Sequence, residues 1–246
     1  MKTAFIITGH SRGIGAALTQ TCLSRGMPVL GIARAPNDAL SDRYPLLLEQ
    51  VALDLSDTTV LARWLDETDV LARFARDAQQ VVLVNNAGTL QPMGAPGARQ
   101  GSLAIARAVS LNVAAPLMLA DAFVAAMARV PDRRVVHISS GAGRSPYPGW
   151  SIYGATKAAL DLHARAVQRD AVAGLRVGSV APGVVDTAMQ AEIRATDVSR
   201  FPNRARFEAL QRDGDLSEPA AVADRLLAHV LSDAFGSEPC TDLRSL

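Results

Sequence analysis

The sequence predicts an α/β fold: a single doubly wound domain with a mostly parallel sheet of about seven strands and helices on both faces. Two observations support this prediction. Short apolar runs alternate with longer helical patterns along the chain, and the first two apolar runs enclose a glycine-rich turn. A length of 246 residues fits one large α/β domain, so residues 1–246 are taken as that domain.

The composition argues against several classes of partner. Lys and Arg number 25 against 24 Asp and Glu, and a net charge of +1 gives no electrostatic case for nucleic acid or a membrane surface. Cys22 and Cys240 are far apart and suit a reducing cytoplasm rather than a disulfide framework. The four histidines show no metal-ligand spacing, so no metal is expected. The first apolar run is too short for a signal peptide, and no run approaches the roughly 20 residues of a membrane helix.

The glycine-rich turn lies between a predicted strand at residues 4–8 and a helix that Gly26 ends, and a second strand follows at 29–33. Its spacing is G-x-x-x-G-x-G, with Gly9, Gly13 and Gly15. Such a turn lets the backbone approach a pyrophosphate, and the helix N-terminus faces the phosphates with free N–H groups. A Rossmann-type dinucleotide site is therefore predicted.

The residue that follows the second strand distinguishes the two nicotinamide dinucleotides. An acidic residue there binds the ribose 2′-OH of NAD, whereas an Arg accommodates the 2′-phosphate of NADP. This chain has Arg34 there and no acid before Asp38, and Arg12 lies inside the glycine turn. Two guanidinium groups near one phosphate suit bidentate binding. We predict NADP(H).

The same patterns predict the remaining elements. Further strands are expected at residues 51–53, 81–84, 134–139, 176–181 and 240–243. Helices are expected at residues 57–78, 102–130, from about 151 to 173, and 218–232. Residues 188–216 mix charged and aromatic residues after the sixth strand, and we interpret them as a substrate lid.

Three side chains around the fifth strand form the candidate catalytic set. Tyr153 and Lys157 are four residues apart, so on a helix they share one face. A phenol has a pKa of roughly 10, and a neighbouring ammonium is expected to lower it. Ser140, thirteen residues before Tyr153, can supply a hydroxyl from the strand end. These groups suit a carbonyl that accepts a hydride.

These motifs occur in the order and spacing of the short-chain dehydrogenases/reductases, which most of the chain resembles. N-N-A-G at residues 85–88 and P-G-V-V-D-T at 182–187 are further motifs of that family. The resemblance implies that Asn112 holds a water linked to Lys157, and that the helices on either side of the fifth strand build a homodimer or homotetramer interface. Taken together, the cofactor contacts expected from the residues and the resemblance are Gly9, Ser11, Arg12, Gly13, Ile14, Gly15, Arg34, Asp54, Leu55, Asn86, Ala87, Gly88, Tyr153, Lys157, Pro182, Gly183, Val185 and Thr187.

A narrower resemblance concerns the substrate. P-Y-P-G-W-S-I-Y at residues 146–153, A-P-G-V-V-D-T-A-M-Q at 181–190 and the tail leading to Asp242 look like sepiapterin reductases, and bacterial benzil reductases share this frame. The resemblance implies substrate contacts from Ser140, Tyr147, Trp150, Tyr153, Met189 and Asp242. In that subgroup the C-terminal Asp anchors a pterin, but a diketone stays an open alternative.

Two other functions stay open on the sequence. One is a 3-oxoacyl-carrier-protein reductase, against which the P-Y-P-G-W segment and Asp242 argue. The other is a non-catalytic NADP-binding sensor or scaffold, which would be expected to lose Ser140, Tyr153 or Lys157, and all three are present. The favoured expectation is an NADPH-dependent carbonyl reductase in which Tyr153 is the general acid.

Overall fold

The computed structural model describes residues 2–98 and 100–246. Seven strands form one sheet in the order β3-β2-β1-β4-β5-β6-β7, and every neighbouring pair is parallel. The predicted fold class is confirmed. The strand order reverses between β1 and β4, so their carboxyl ends open the crevice in which ligands of such sheets bind.

The strands are β1 (Thr3–Thr8), β2 (Val29–Ala33), β3 (Leu48–Ala52), β4 (Gln80–Asn85), β5 (Asp132–Ile138), β6 (Leu175–Ala181) and β7 (Cys240–Asp242). The α-helices are α1 (Gly13–Ser24), α2 (Asp38–Arg43), α3 (Thr58–Glu67), α4 (Val70–Phe74), α5 (Ser102–Val109), α6 (Ala115–Ala126), α7 (Ser151–Asp170), α8 (Ala188–Ala195), α9 (Arg204–Arg212) and α10 (Pro219–Leu231). A π-helical turn (Ser110–Ala114) joins α5 to α6, and 3₁₀ turns span Gly141–Gly143 and Leu243–Ser245.

The sheet separates two apolar cores because successive strand residues point to opposite faces. Phe5 and Ile7 of β1 face the core shared with α1 and α10. Ile6, between them, faces the core shared with α3, α4, α6 and α7. Both faces of the sheet are thus covered, as a parallel sheet requires.

The predicted helix at 102–130 contains a π-helical turn at Ser110–Ala114 that was not expected from the sequence. Pro116 follows in the first turn of α6. Proline lacks an N–H and its ring crowds the carbonyl four residues earlier, here that of Asn112, and a π turn relieves this conflict. The turn lies where Asn112 is buried.

The predicted helix at 57–78 is wrong as one element, because α3 and α4 are separate. Thr68 adopts an extended backbone after α3, and its hydroxyl donates to the Trp64 carbonyl at 2.8 Å. This local bond competes with continuation of the helix. The short helix α2 was also missed, although Asn37 caps it by accepting from the Leu40 N–H at 3.1 Å.

The third strand begins three residues earlier than predicted and ends at Ala52. Its first half contains the polar residues Glu49 and Gln50, so the apolar pattern that predicts a strand begins only at Val51. Since β3 lies at the edge of the sheet next to β2, polar side chains there reach solvent or neighbouring polar groups.

The expectation that no segment approaches a membrane helix is wrong by length and composition, because the helical stretch Ser102–Ala126 meets both criteria. A third of its most apolar part is buried. Leu119 and Phe123 pack in the core, whereas Leu103 is 66% exposed. A core helix of a water-soluble domain meets the same criteria, so the observation is weak evidence for a membrane.

Candidate active site

The glycine turn packs directly against the start of α1. A Cβ on Gly15 would lie 2.1 Å from the Gly9 carbonyl oxygen, so only glycine allows this approach. Gly13 has a φ of +56°, and a Cβ there would meet only the Thr187 side chain, at 3.4 Å. The N-terminus of α1 carries no side-chain cap and no acidic residue in its first turn. Its free N–H groups therefore face the crevice, where they suit an anion.

The N-N-A-G segment is hydrogen-bonded to the end of β1. The Thr8 hydroxyl accepts from the backbone N–H groups of Asn86 and Ala87 at 2.9 and 3.0 Å. The Asn86 amide donates to the carbonyls of Thr8 and Gly9 at 2.9 and 3.2 Å. These bonds place Ala87 and Gly88 beside the glycine turn. The side chain of Thr8 is a positioning group that was not predicted.

The loop after β2 brings Arg34 to the same end of the sheet as Arg12, and both side chains are exposed. Asn37 in this loop donates from its side chain to the Ser11 carbonyl at 3.4 Å and from its backbone to Gln50 at 2.7 Å. The loop is therefore held against the glycine turn. Neither Asn37 nor Gln50 was predicted, since isolated amides carry no sequence signal.

A buried histidine joins this polar network. His10 lies within hydrogen-bonding distance of Gln50, with Nε2 and Oε1 2.6 Å apart, and burial lowers the pKa of its imidazole. Its ring occupies the place that a side chain at Gly31 would take. Next to β3, Asp54 accepts from the backbone and hydroxyl of Ser56 at 3.0 and 2.8 Å. Leu55 is buried.

Ser140, Tyr153 and Lys157 converge at the end of β5. Lys157 donates to the Ile138 carbonyl at 2.7 Å and lies 5.8 Å from the centroid of the Tyr153 ring. Tyr153 and Lys157 share the buried face of α7, as the spacing predicts. Ser140 caps the following 3₁₀ turn by accepting from the Ala142 N–H at 3.2 Å.

The protonation of this set differs from the expectation. Burial raises the pKa of Tyr153, although a hydrogen bond with Ser140 acts in the opposite direction. The expectation of a lowered Tyr153 pKa is therefore wrong in its net direction, because desolvation of the buried phenol dominates and the Lys157 ammonium is directed to the Ile138 carbonyl. Burial also lowers the pKa of Lys157 to about 8, with Asp161 opposing that effect.

Asn112 lies next to Lys157 in this cluster. Its amide accepts from the Thr89 N–H at 2.9 Å and donates to the Thr89 carbonyl and the Thr156 hydroxyl at 2.8 and 3.1 Å. A Cβ on Gly88 would lie 3.2 Å from the Asn112 oxygen and 3.7 Å from the Lys157 ammonium. Asn112 and Lys157 therefore lie on the same side of Gly88, while the predicted bound water stays a prediction.

An aromatic cluster covers Tyr153. Trp150 is only 6% exposed and stacks on Phe201, with ring centroids 4.6 Å apart. Its ring meets that of Tyr153 edge-on at 5.4 Å, and its indole donates to Met93 at 3.1 Å. Further members of the cluster are Leu90, Ala142, Ile193 and Phe207, with Tyr147, Val184, Met189 and Leu210 partly buried against it. The segment predicted as a lid thus supplies several apolar walls.

Asp242 lies at the rim of this region and is not free. Arg244 donates from Nε and Nη2 to its two carboxylate oxygens at 2.9 and 2.6 Å, and the Arg244 backbone N–H donates at 2.9 Å. The aliphatic part of Arg244 lies over Gly183, where a Cβ would be 3.2 Å away. Asp242 was predicted as a site residue and Arg244 was not, although the two are only two residues apart.

The structure thus gathers the predicted residues into three adjoining groups at one edge of the sheet. The glycine turn, residues 86–88 and Thr187 surround the start of α1, and Pro182, Gly183 and Val185 belong to the turn that leads to Thr187. Ser140, Asn112, Tyr153 and Lys157 form the second group. Tyr147, Trp150 and Met189 lie in the aromatic cluster, with Asp242 beyond it. The uncapped N-terminus of α1 and the close backbone approach at Gly9 and Gly15 fit a nicotinamide dinucleotide.

Comparisons with known proteins agree with this geometry. The family model for short chain dehydrogenases matches residues 3–198. The chain is 36% identical over 226 residues to a benzil reductase ((S)-benzoin forming) of Bacillus cereus, an alignment that covers 89% of this chain and 90% of the relative. It is 32% identical over 248 residues to the sepiapterin reductase of Rattus norvegicus, covering 94% and 92%.

A solved structure supports the same relationship. The chain is similar to a short-chain dehydrogenase/reductase from Burkholderia vietnamiensis, with 44% identity, a TM-score of 0.72 and coverage of 100% of this chain and 98% of that one. Fold, motifs and whole-length similarity agree. The chain therefore belongs to the short-chain dehydrogenase/reductase family, whose members are oxidoreductases that use nicotinamide cofactors.

Proposed function

We propose that this protein reduces a ketone or diketone with NADPH and that Tyr153 is the general acid. The observation that carries the proposal is the buried phenol of Tyr153, which has the partly buried Ser140 hydroxyl acting on its pKa and the Lys157 ammonium 5.8 Å from its ring centroid. Because burial raises the pKa of Tyr153, the phenol is protonated at neutral pH and holds the proton that a reduced carbonyl oxygen must receive.

Each side chain has a distinct part in this mechanism. A bound NADPH would supply the hydride. The hydroxyls of Ser140 and Tyr153 donate hydrogen bonds to the substrate oxygen, and they are aimed at the negative charge that develops there. Tyr153 then transfers its proton to that oxygen, and the Lys157 ammonium one helical turn away stabilises the phenolate that remains.

The preference for NADPH rests on the loop after β2. Arg34 and Arg12 are exposed on two segments that Asn37 ties together, and the first acidic residue after β2 is Asp38, inside α2. A 2′-phosphate between the two segments would find guanidinium groups and no carboxylate from the strand end. This arrangement supports NADPH over NADH.

The surroundings of Tyr153 support an apolar carbonyl compound as substrate. Trp150, Phe201 and Phe207 provide aromatic walls, and we propose that residues 188–216 act as the substrate lid. At the rim, Arg244 holds both carboxylate oxygens of Asp242. An amino-pyrimidine that used this carboxylate would have to displace the guanidinium, so the geometry favours an aromatic diketone such as benzil over a pterin.

We also propose that the protein is a homo-oligomer. Leu103 of α5 and Leu162 of α7 are each 66% exposed, and the two helices pack side by side. A second copy of the chain packed against these two helices would cover both leucines.

Removal of the Tyr153 hydroxyl tests the mechanism. NADPH oxidation is measured with benzil, sepiapterin and a 3-oxoacyl thioester, for the native protein and Tyr153→Phe. We expect benzil to be the best of the three and Tyr153→Phe to lose at least about 10³-fold in kcat, because the ring stays and the proton donor is gone. NADPH binding, followed by fluorescence, should change little. Activity retained by Tyr153→Phe would contradict the role of the phenol.

Charge reversal after β2 tests the cofactor preference. Arg34→Asp should lower kcat/KM for NADPH relative to NADH by at least about tenfold, because a carboxylate repels the 2′-phosphate and accepts from a ribose 2′-OH. Arg43→Asp, in the last turn of α2, makes the same charge change and serves as the control. An unchanged ratio in Arg34→Asp would rule out the proposed contact.

Truncation of the rim arginine tests the substrate preference. Arg244→Ala frees the Asp242 carboxylate, so kcat/KM for sepiapterin should rise about three- to tenfold while that for benzil changes by less. Arg244→Lys should keep the native preference because an ammonium still neutralises Asp242. If sepiapterin is already the better substrate of the native protein, or gains nothing from Arg244→Ala, the proposed effect of the Asp242–Arg244 pair is wrong.

A charge on the exposed apolar face tests the oligomer. Leu162→Glu should convert a dimer or tetramer into a smaller species, as measured by light scattering after gel filtration, because a buried unpaired carboxylate opposes association. Leu46→Glu, at a residue that is 96% exposed in the loop before β3, is the control and should leave the mass unchanged. A monomeric native protein would contradict the proposal directly.

A further inference from the structure

A buried carboxylate lies one helical turn beyond Lys157. Asp161 accepts hydrogen bonds from the hydroxyls of Ser139 and Ser179 at 2.7 and 2.6 Å, and from Arg144 Nε at 2.8 Å. These donors belong to the end of β5, to β6 and to the loop before α7. The proposed mechanism uses none of them, yet the cost of burying a carboxylate calls for a compensating role.

Arg144 extends this network to the edge of the sheet. Beyond Asp161, its guanidinium donates to the carbonyls of Thr241 and Ser179 at 3.1 and 3.3 Å. Arg144 lies between Ser140 and Tyr153 in the chain, just after a turn that presses on α7. A Cβ on Gly143 in this turn would lie 2.9 Å from the backbone of Lys157. One ion pair thus holds the segment after Ser140 against the helix that carries Tyr153 and Lys157.

The charged surroundings of Lys157 give Asp161 an electrostatic role as well. Among the described residues, the titratable groups near this side chain are Tyr153 and Asp161 from its own helix and His137 from β5. The charged group from the loop before α7 is Arg144, which pairs with Asp161. Tyr153 is protonated, and burial lowers the pKa of His137 to about 3, so both are neutral near pH 7. Asp161 is therefore the negative charge that opposes the desolvation of the ammonium.

We propose that Asp161 and Arg144 are positioning residues: Asp161 keeps Lys157 charged, and the ion pair holds Ser140 in register with Tyr153. The proposal rests on the proposed function for the use of Lys157 in reduction, but not for the coupling between Asp161 and Lys157. That coupling is a property of the protein without cofactor or substrate, so it can be measured independently.

A double-mutant cycle on the ligand-free protein measures the coupling. The native protein, Asp161→Asn, Lys157→Met and the double variant are unfolded with urea between pH 6.5 and about 9.5. Because the folded pKa of Lys157 is about 8 and an unfolded lysine has a pKa of about 10.4, the unfolded chain binds more protons in this window. The contribution of Lys157 to stability therefore rises as the pH rises from about 8.

The expected result is a shift in the pH at which stability begins to rise, and this shift should require Lys157. In Asp161→Asn the rise should begin about one pH unit lower, because the ammonium has lost its opposing charge. Because Asp161 also raises the pKa of the Cys240 thiol, all four proteins carry Cys240→Ser. With Met at position 157, Asp161→Asn should then change stability by the same amount at every pH in the window. The electrostatic role would be overturned if stability in Asp161→Asn began to rise at the same pH as in the native protein. It would also be overturned if the shift in that pH persisted in the Lys157→Met background.

The kinetic arm separates positioning from general stability. Asp161→Asn should lower kcat for reduction at least about tenfold at pH 8, with KM changed less, and its loss of activity with rising pH should begin about one unit earlier than in the native protein. Arg144→Gln should lower kcat similarly, and Arg144→Lys should restore part of it. Native kinetics in both Asp161→Asn and Arg144→Gln would overturn the positioning role.

Asp132→Asn is the matched control. It disrupts the Arg134–Asp132 ion pair, whose side chains are 3% and 19% exposed, at the opposite end of β5. It should reduce stability without moving the pH profile, and a profile that moves equally would also overturn the proposal. If the native protein oxidises no NADPH with any carbonyl compound, the proposed function fails, whereas the ligand-free cycle still decides the coupling.

Discussion

The parallel alignment of the central strands is the constraint on which the site depends. Because β1, β4, β5 and β6 all run in one direction, their carboxyl ends meet at one edge of the sheet. Thr8, Asn86 and Ser140 each lie at or just beyond such an end, and the hydrogen bonds between Thr8 and Asn86 join the segment after β1 to the segment after β4. A reversed strand would carry its residues to the far edge. The shared direction of the strands is therefore enough to bring these segments together at one edge of the sheet.

Much of this arrangement could be predicted from the sequence because its signals are local. The interval between Tyr153 and Lys157 specifies a shared helix face, and the glycine spacing specifies a turn between strand and helix. Both features are found in the structure. Buried strands were located within about three residues because a short apolar run bounded by turn residues is typical of a strand inside a parallel sheet.

The features that could not be predicted depend on contacts between distant segments. The spacing of Tyr153 and Lys157 gave no measure of their burial, and burial reverses the expected direction of the Tyr153 pKa. In the sequence, Asp161 looks like an ordinary charged residue on a helix. Its burial and its three hydrogen-bond donors (Ser139, Ser179 and Arg144) become visible only in the folded structure. The π-helical turn is an intermediate case, since Pro116 was visible but the response of the backbone to it was not.

The structure also separates the proposed chemistry from the proposed substrate selection. Ser140, Tyr153 and Lys157 are fixed by the sheet and by α7, whereas the apolar walls come from the segment around α8 and α9 and the rim comes from the C-terminal turn. The two sets meet at few residues, chiefly Trp150, which stacks on Phe201 and touches Tyr153. Changes in the walls can therefore alter the proposed substrate selection without disturbing the proposed proton donor.

Arg144 connects the two sets in a different way, since it binds Asp161 next to Lys157 on α7 and the Thr241 carbonyl next to Asp242. This contact joins β7, which contains Asp242, to α7, which contains Tyr153 and Lys157. A displacement of β7 would therefore disturb the ion pair between Arg144 and Asp161.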